Sequence, residues 1–168
     1  FAASRPGAPQ AMHTHAFLAR TFVTLRERAP DVLERFLAAG ATTLPAARNL
    51  GDPQPGDDQL VIVVIRRSTY EWILRQAVLA EPNAEIRTGA GVAGLTVDGR
   101  GDRPVVTGLR LDGGGEFSSG AVVVATGRRS GLPDWLGEHG IDVTETVRES
   151  KLMYLTRWYR RPPGERAL

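Results

Sequence analysis

The sequence predicts a mixed α/β fold, and three observations carry that expectation. An unbroken apolar run, Leu60–Ile65, is followed by a stripe with helical spacing. Strand-like segments separated by turn residues fill positions 84–118. A second apolar run covers Ala121–Ala125. The predicted order is helices, strand, helix, strand, meander, strand, which is not a simple alternating βα repeat.

Residues 1–15 read as loop, punctuated by Pro6, Gly7 and Pro9. Phe17, Leu18, Phe22 and Leu25 recur on one helical face, so a helix is expected from about His15 to Ala29, with Pro30 breaking it. Asp31 is the expected N-cap of a second helix running to Ala39, stopped by Gly40, which makes 15–40 a helical region. Residues 41–59 read as loop, with Gly51, Pro53, Pro55 and Gly56. The run 60–65 has no polar alternation and predicts a strand buried on both faces. Ser68 or Thr69 caps the next helix, over 69–80, with Glu71 near its positive end. Tyr70, Ile73, Leu74, Ala77 and Val78 form its buried stripe.

Pro82-Asn83 is a turn, and Ala84–Arg87 and Val92–Val97 are expected strands. Asp98-Gly99-Arg100-Gly101-Asp102 is a strong hairpin signal, and Val105–Leu111 pairs back. Asp112-Gly113-Gly114-Gly115 turns the chain again into Glu116-Phe117, giving a three-stranded antiparallel meander over 84–118. Ala121-Val122-Val123-Val124-Ala125 is apolar throughout and predicts a buried central strand over 121–125. A short helix over Pro133–Gly137 and a strand over Lys151–Arg157 complete the reading.

The 168 residues are 42% hydrophobic and 24% charged, which supports one globular core and excludes a disordered chain. There is no cysteine, so disulfides, thiolate nucleophiles, iron–sulfur clusters and cysteine-ligated zinc are excluded. No apolar run approaches the roughly 20 residues of a spanning helix. With 21 basic and 19 acidic residues the net charge is +2, which is not the balance of a nucleic-acid binder. All the basic residues except Lys151 are arginine. Phe1 stands where an initiator Met is expected, and no secretory leader pattern follows it. The expectation is a cytoplasmic segment of a longer protein.

The most informative feature is the apolar strand ending at Thr126-Gly127. Small residues at the carboxyl end of a buried strand let a ligand lie against the backbone, and Gly127 permits both close approach and an unusual φ. A strand ending in an ordinary turn is the competing reading. Arg67 follows a strand and opens a helix, where a guanidinium can reach an anion with several donors. His13 and His15 stand two apart, a spacing that does not bring side chains together on a helix, and no carboxylate cluster accompanies them. They read as loop packing rather than as metal ligands. Ser130 lies outside any Gly-x-Ser-x-Gly elbow. Gly89-x-Gly91-x-x-Gly94 matches a dinucleotide-binding pattern in form, but no helix follows it. Arg157, Arg160 and Arg161 beside Trp158 and Tyr159 read as a solvated strand face rather than a nucleic-acid patch.

Val122-Val123-Val124-Ala125-Thr126-Gly127-Arg128-Arg129-Ser130 resembles the second nucleotide-binding fingerprint of FAD-dependent oxidoreductases of the flavin-monooxygenase type. The resemblance extends in order along nearly the whole chain. Arg5-Pro6-Gly7-Ala8-Pro9-Gln10 with His13 and His15 resembles the loop after that family's second strand. Arg67-Ser68-Thr69-Tyr70-Glu71-Trp72-Ile73-Leu74 resembles its arginine-initiated helix. Leu132-Pro133-Asp134-Trp135-Leu136 and Tyr154-Leu155-Thr156-Arg157-Trp158-Tyr159 resemble the passage into its substrate domain.

The resemblance implies an incomplete FAD-binding Rossmann-like domain over 1–145 and the start of a substrate-binding domain over 146–168. It implies FAD as cofactor, NADH or NADPH as electron donor, and a small organic substrate oxygenated through reduced flavin and dioxygen. Cofactor contacts fall on Arg5, Gln10, Arg67, Val92, Thr126 and Gly127; His13 and His15 pack beside the flavin. No catalytic acid or base is assigned. The family's Gly-x-Gly-x-x-Gly loop and its later Gly-Asp motif are not in the sequence, so the chain alone is expected not to turn over. Thr126 stands where aromatic hydroxylases of the family carry Asp, and Pro133 where they carry Arg. Two other readings are an inactive fragment or binding module, and a pyridine-nucleotide-linked flavin reductase. The absence of Cys-x-x-Cys argues against the thiol–disulfide branch of the latter.

Overall fold

The computed structural model describes residues 8–13, 15–49, 51–52, 54–99, 103–127, 129–157 and 159. Arg5, the hairpin residues Arg100, Gly101 and Asp102, and Arg128, Trp158, Arg160 and Arg161 lie outside them. The fold is mixed α/β with two small antiparallel three-stranded sheets. Two compact units divide the chain, one holding 1–85 with 152–168, the other 86–151.

The first unit contains β1 (Ala16–Phe17), α1 (Ala19–Arg28), α2 (Pro30–Ala38), β2 (Thr42–Pro45), β3 (Val61–Val64) and α3 (Arg67–Ala80). β3 lies between β1 and β2, antiparallel to both, with Phe17 opposite Val63 and Thr43 opposite the same residue on the other side. The expected strand 60–65 is therefore present but shorter, and its covering is uneven. Val63 is fully buried and Ile65 nearly so, whereas Val61, Ile62 and Val64 are half-buried. Phe36, Val32, Leu33, Leu25 and Ile73 close over Val63 from the helices.

The expected helix from His15 starts later than its spacing suggests. Residues 16–17 are drawn into the ladder against β3, and the exposed Leu18 is the N-cap of α1. Pro30 opens α2 rather than only ending α1, because a proline at the first helical position lacks an N–H that would have no partner there. Ala29, not Asp31, is the N-cap; its carbonyl accepts from Val32 and Leu33 at 3.1 and 3.2 Å. Gly40 does stop the helix. It takes φ +90, Ala41 N–H donates to the Phe36 carbonyl and Gly40 N–H to that of Leu37, so a left-handed residue satisfies the last carbonyls. β2 occupies a stretch expected to be loop, since Thr42 and Thr43 suit an edge strand although all four residues are exposed. Neither Ser68 nor Thr69 caps α3; the helix begins at Arg67 with Arg66 as N-cap and no side-chain cap bond. Ile73 is buried and Tyr70, Leu74 and Ala77 pack on the core, but Val78 is exposed.

The second unit is the meander β4 (Val92–Asp98), β5 (Val105–Leu111) and β6 (Glu116–Ser118), followed by the short helix α4 (Leu132–Gly137). Both hairpins are antiparallel as expected. Gly113, Gly114 and Gly115 all take positive φ in the second turn. Gly108 is where β6 comes closest. A Cβ there would collide with the backbone carbonyl of Phe117 and with Thr96 Oγ1.

Three expected strands do not form. Ala84 is still held in the turn after α3, its N–H donating to the Glu81 carbonyl at 3.1 Å, and 84–87 join no ladder. The run 121–125 is not a central strand. The ladder is left at Ser119, whose hydroxyl donates to the Ala121 carbonyl at 2.6 Å, and the valines beyond pair with no strand among the described residues. Only alternate residues, Val122 and Val124, are half-buried, and Val123 is 91% exposed. Over 151–157, Lys151 takes φ +52, outside the extended region, and Leu152, Met153, Tyr154 and Leu155 are all exposed.

Two substitutions check this packing. Phe36→Ala, at a fully buried ring, should cost about 3–5 kcal/mol of stability in urea denaturation. Gly108→Ala should loosen the β5–β6 pairing, because the obstructing atom is backbone and cannot rotate away. Amide exchange of Ser119, whose N–H donates to Thr107 at 2.8 Å, should then accelerate.

Candidate functional site

In the second unit, a groove of about 490 Å³ is lined by Val124, Ala125, Gly127, Ser130, Leu132, Pro133 and Glu145. It forms where the valine run turns into α4. Gly127 makes the turn at φ +80, its carbonyl accepting from Ser130 N–H at 3.0 Å. Thr126 Oγ1 donates to Ser130 Oγ at 2.9 Å, and Leu132 N–H donates to the same oxygen at 3.2 Å. Ser130 thus ties both ends of the turn. A Cβ on Gly127 would meet nothing within 4 Å, so the glycine backbone faces open space. Beside the wall made by α4, Arg110 lies across Gly94 and pairs with Glu138 just beyond the helix at 2.6 Å.

In the first unit, Arg67 occupies the first position of α3. Its Nε donates to Glu71 Oε1, one turn further on, at 2.6 Å, and both side chains are about a quarter exposed. Its Nη1 lies 3.3 Å from His15 Nε2, while His15 Nδ1 lies 2.9 Å from the His13 carbonyl. His13 Nδ1 in turn sits 2.8 Å from Thr156 Oγ1. Nη2 of Arg67 lies outside both of its contacts. Next to this cluster Tyr70 stacks on Phe17 and Phe36, with ring centroids 3.9 and 4.8 Å away. Burial pushes the Tyr70 phenol above its ordinary value, against the opposing pull of the Arg67 charge.

The expected site residues are therefore distributed. Gly127 lines the groove with Ser130, and Thr126 stands outside the lining, joined to it through its hydrogen bond to Ser130. Val92 opens β4, half-buried opposite Leu111, and is not part of the groove lining. Arg67 lies in the His15 and Glu71 cluster. Gln10 is exposed in a 3₁₀ turn, where its carbonyl accepts from His13 N–H at 3.0 Å. Arg5 lies outside the described residues. The sequence places Glu71 near the positive end of the helix dipole; its partner is Arg67, at the i, i+4 spacing that signals such a pair. Glu145 carries no sequence signal, since it reaches the groove from an irregular polar segment. Among the described residues no group of three or more His, Asp or Glu is placed to hold a metal ion, and no helix is long and apolar enough to cross a membrane. No protein-family model matches the chain, and no curated protein matches it.

The raised phenol of Tyr70 gives a pH prediction. Below about pH 10 the ring is neutral in both folded and unfolded chains, so its burial is fully compatible with folding. As pH rises through 10, the unfolded chain ionises first and stability falls. Tyr70→Phe should remove that part of the alkaline loss, seen as a flatter dependence of the urea midpoint between about pH 9 and 11.

Proposed function

We propose that this chain carries cofactor-contacting parts of an FAD-dependent oxidoreductase of the monooxygenase type, acting on a small organic molecule. The observation that carries the reading is the Thr126-Gly127 turn. A glycine at positive φ, with open space where its Cβ would be, borders a groove of about 490 Å³ in the stretch that resembles a nucleotide-binding fingerprint. Backbone open on one side suits the flat, close approach of a dinucleotide.

The residues fit such a group in chemical type. Gly127 would give close backbone contact, and Thr126 and Ser130 hold the turn in shape. In the first unit Arg67 keeps Nη2 clear of its contacts to Glu71 and His15 and would donate it to a phosphate oxygen. Gln10 and Arg5 would contribute from the preceding loop, and Val92 through its backbone. When bound, FAD would supply the redox chemistry, taking electrons from NADH or NADPH and passing them to dioxygen for oxygenation of the substrate. The chain's own part is binding and orientation. Arg67 offsets negative charge, the Glu71 pair limits its rotation, and the apolar side chains Val124, Leu132 and Pro133 keep one wall of the groove dry.

The test is titration of the folded chain with FAD, read by quenching of flavin fluorescence. Saturable binding is expected. Arg67→Ala should weaken it by roughly 1.5–3 kcal/mol, the scale of a hydrogen bond to a charged group. Gly127→Val should weaken it strongly, because a branched side chain would enter the groove and is strained at positive φ. A chain that circular dichroism shows to be folded, yet which quenches nothing with FAD in large excess, would leave a binding module for another ligand.

A further inference from the structure

We infer that His15 is a proton-sensitive latch on Arg67, closed only while the imidazole is neutral with its proton on Nδ1. The assignment follows from the two partners of the ring. Nδ1 lies 2.9 Å from the His13 carbonyl, which can only accept, so Nδ1 carries the hydrogen. Nε2 lies 3.3 Å from Nη1 of Arg67, which can only donate, so Nε2 offers its lone pair. An imidazolium has donors on both nitrogens. Protonation of His15 would set an N–H and a positive charge against the guanidinium, and the contact would open.

Arg67 is then held from two sides by different means. Glu71, from the same helix, takes Nε at 2.6 Å and keeps doing so whatever the state of the imidazole. His15, from the segment before β1, takes Nη1 and lets go on protonation. Among the described residues, Tyr70 on α3, Arg66 at its N-cap and His13 on the same segment are further titratable or charged groups near this point. His13 is itself tied to Thr156 at 2.8 Å. The first turn of α3 disfavours a second cation, since its amides already present the positive end of the helix dipole beside Arg67. Opening the latch releases Arg67 Nη1 from His15 and leaves Nε with Glu71. The device thus sets the freedom of Arg67 by pH, whatever anion that arginine meets.

Nitrogen-15 NMR of the full chain tests this without any ligand. With its ring neutral, His15 should show the Nδ1–H tautomer and a through-space contact to the Arg67 guanidinium. Once acid has protonated the ring that contact should vanish, while the Arg67 Nε–H signal paired with Glu71 persists. His15→Gln offers a side-chain oxygen that accepts without titrating, so the Arg67 Nη1 signal should become independent of pH in this variant. An Nε2–H tautomer in the wild-type chain at high pH would overturn the latch, as would a His15–Arg67 contact that survives protonation. FAD binding does not enter these readings, so failure of the flavin proposal would leave the latch standing.

Discussion

The stacking of Tyr70 on Phe17 and Phe36 is the interaction on which the first unit depends. One ring joins three elements: β1 through Phe17, α2 through Phe36 and α3 through its own backbone. β1 is only two residues long, too short for its ladder alone to hold it, and the aromatic contact supplies the burial that the strand lacks. Tyr70 also lies three residues beyond Arg67. Fixing Tyr70 fixes the first turn of α3, and with it the direction in which the Arg67 side chain leaves the helix. The core and the cationic cluster are therefore one construction. Exchanging the tyrosine for a smaller residue would loosen the edge strand and the arginine together.

The second unit is governed by a different constraint, the absence of side chains. Gly94 and Gly108 sit at the centre of the meander, and each stands where a Cβ would collide with a neighbour. At Gly108 the neighbour is the backbone of β6, so the glycine permits the pairing itself. At Gly94 it is the Arg110 guanidinium, which uses the space to reach Glu138 beyond α4. Both partners of that pair are nearly half exposed, so its contribution to stability is small. It joins the meander to the end of α4, the helix whose Leu132 and Pro133 stand as groove wall.

What the sequence revealed follows from the range of the forces involved. The meander was legible because its signals are local: Asp98-Gly99 and the glycines after Asp112 specify turns, and the turns specify which strands pair. The α3 stripe and the Gly40 stop were legible for the same reason. The caps expected at Asp31 and at Ser68 or Thr69 failed locally, by two or three positions, whereas the failures of strand placement involve partners distant in sequence. Nothing near residues 16–17 says that β3 will claim them, and nothing near Thr42 says that it will form the opposite edge. The valine run failed most instructively. Its composition is that of a central strand, but a strand needs a neighbour's backbone as well as apolar side chains, and composition carries no information about that neighbour. Of the candidate site, the Gly127 turn and Arg67 were readable as residue types at element boundaries. The hydrogen bonds through Ser130, His15 and Glu71 that give them shape were not, except for the i+4 spacing of Arg67 and Glu71.

The side chains gathered at the two places bound what chemistry they can perform. The groove offers one carboxylate, the Ser130 hydroxyl tied into a turn by Thr126, and apolar wall; the cluster at the start of α3 offers an arginine, two histidines and a carboxylate already paired to the arginine. Neither holds a nucleophile next to a base with a third group to orient it, the arrangement that hydrolytic side-chain catalysis requires. The sequence contains no cysteine, so no thiol is available for two-electron chemistry. The features the chain does possess are those of a holder: a bare backbone turn beside open space, and an arginine whose rotation is restricted by a carboxylate on one side and an imidazole on the other. The flavin proposal asks only binding and orientation of these residues.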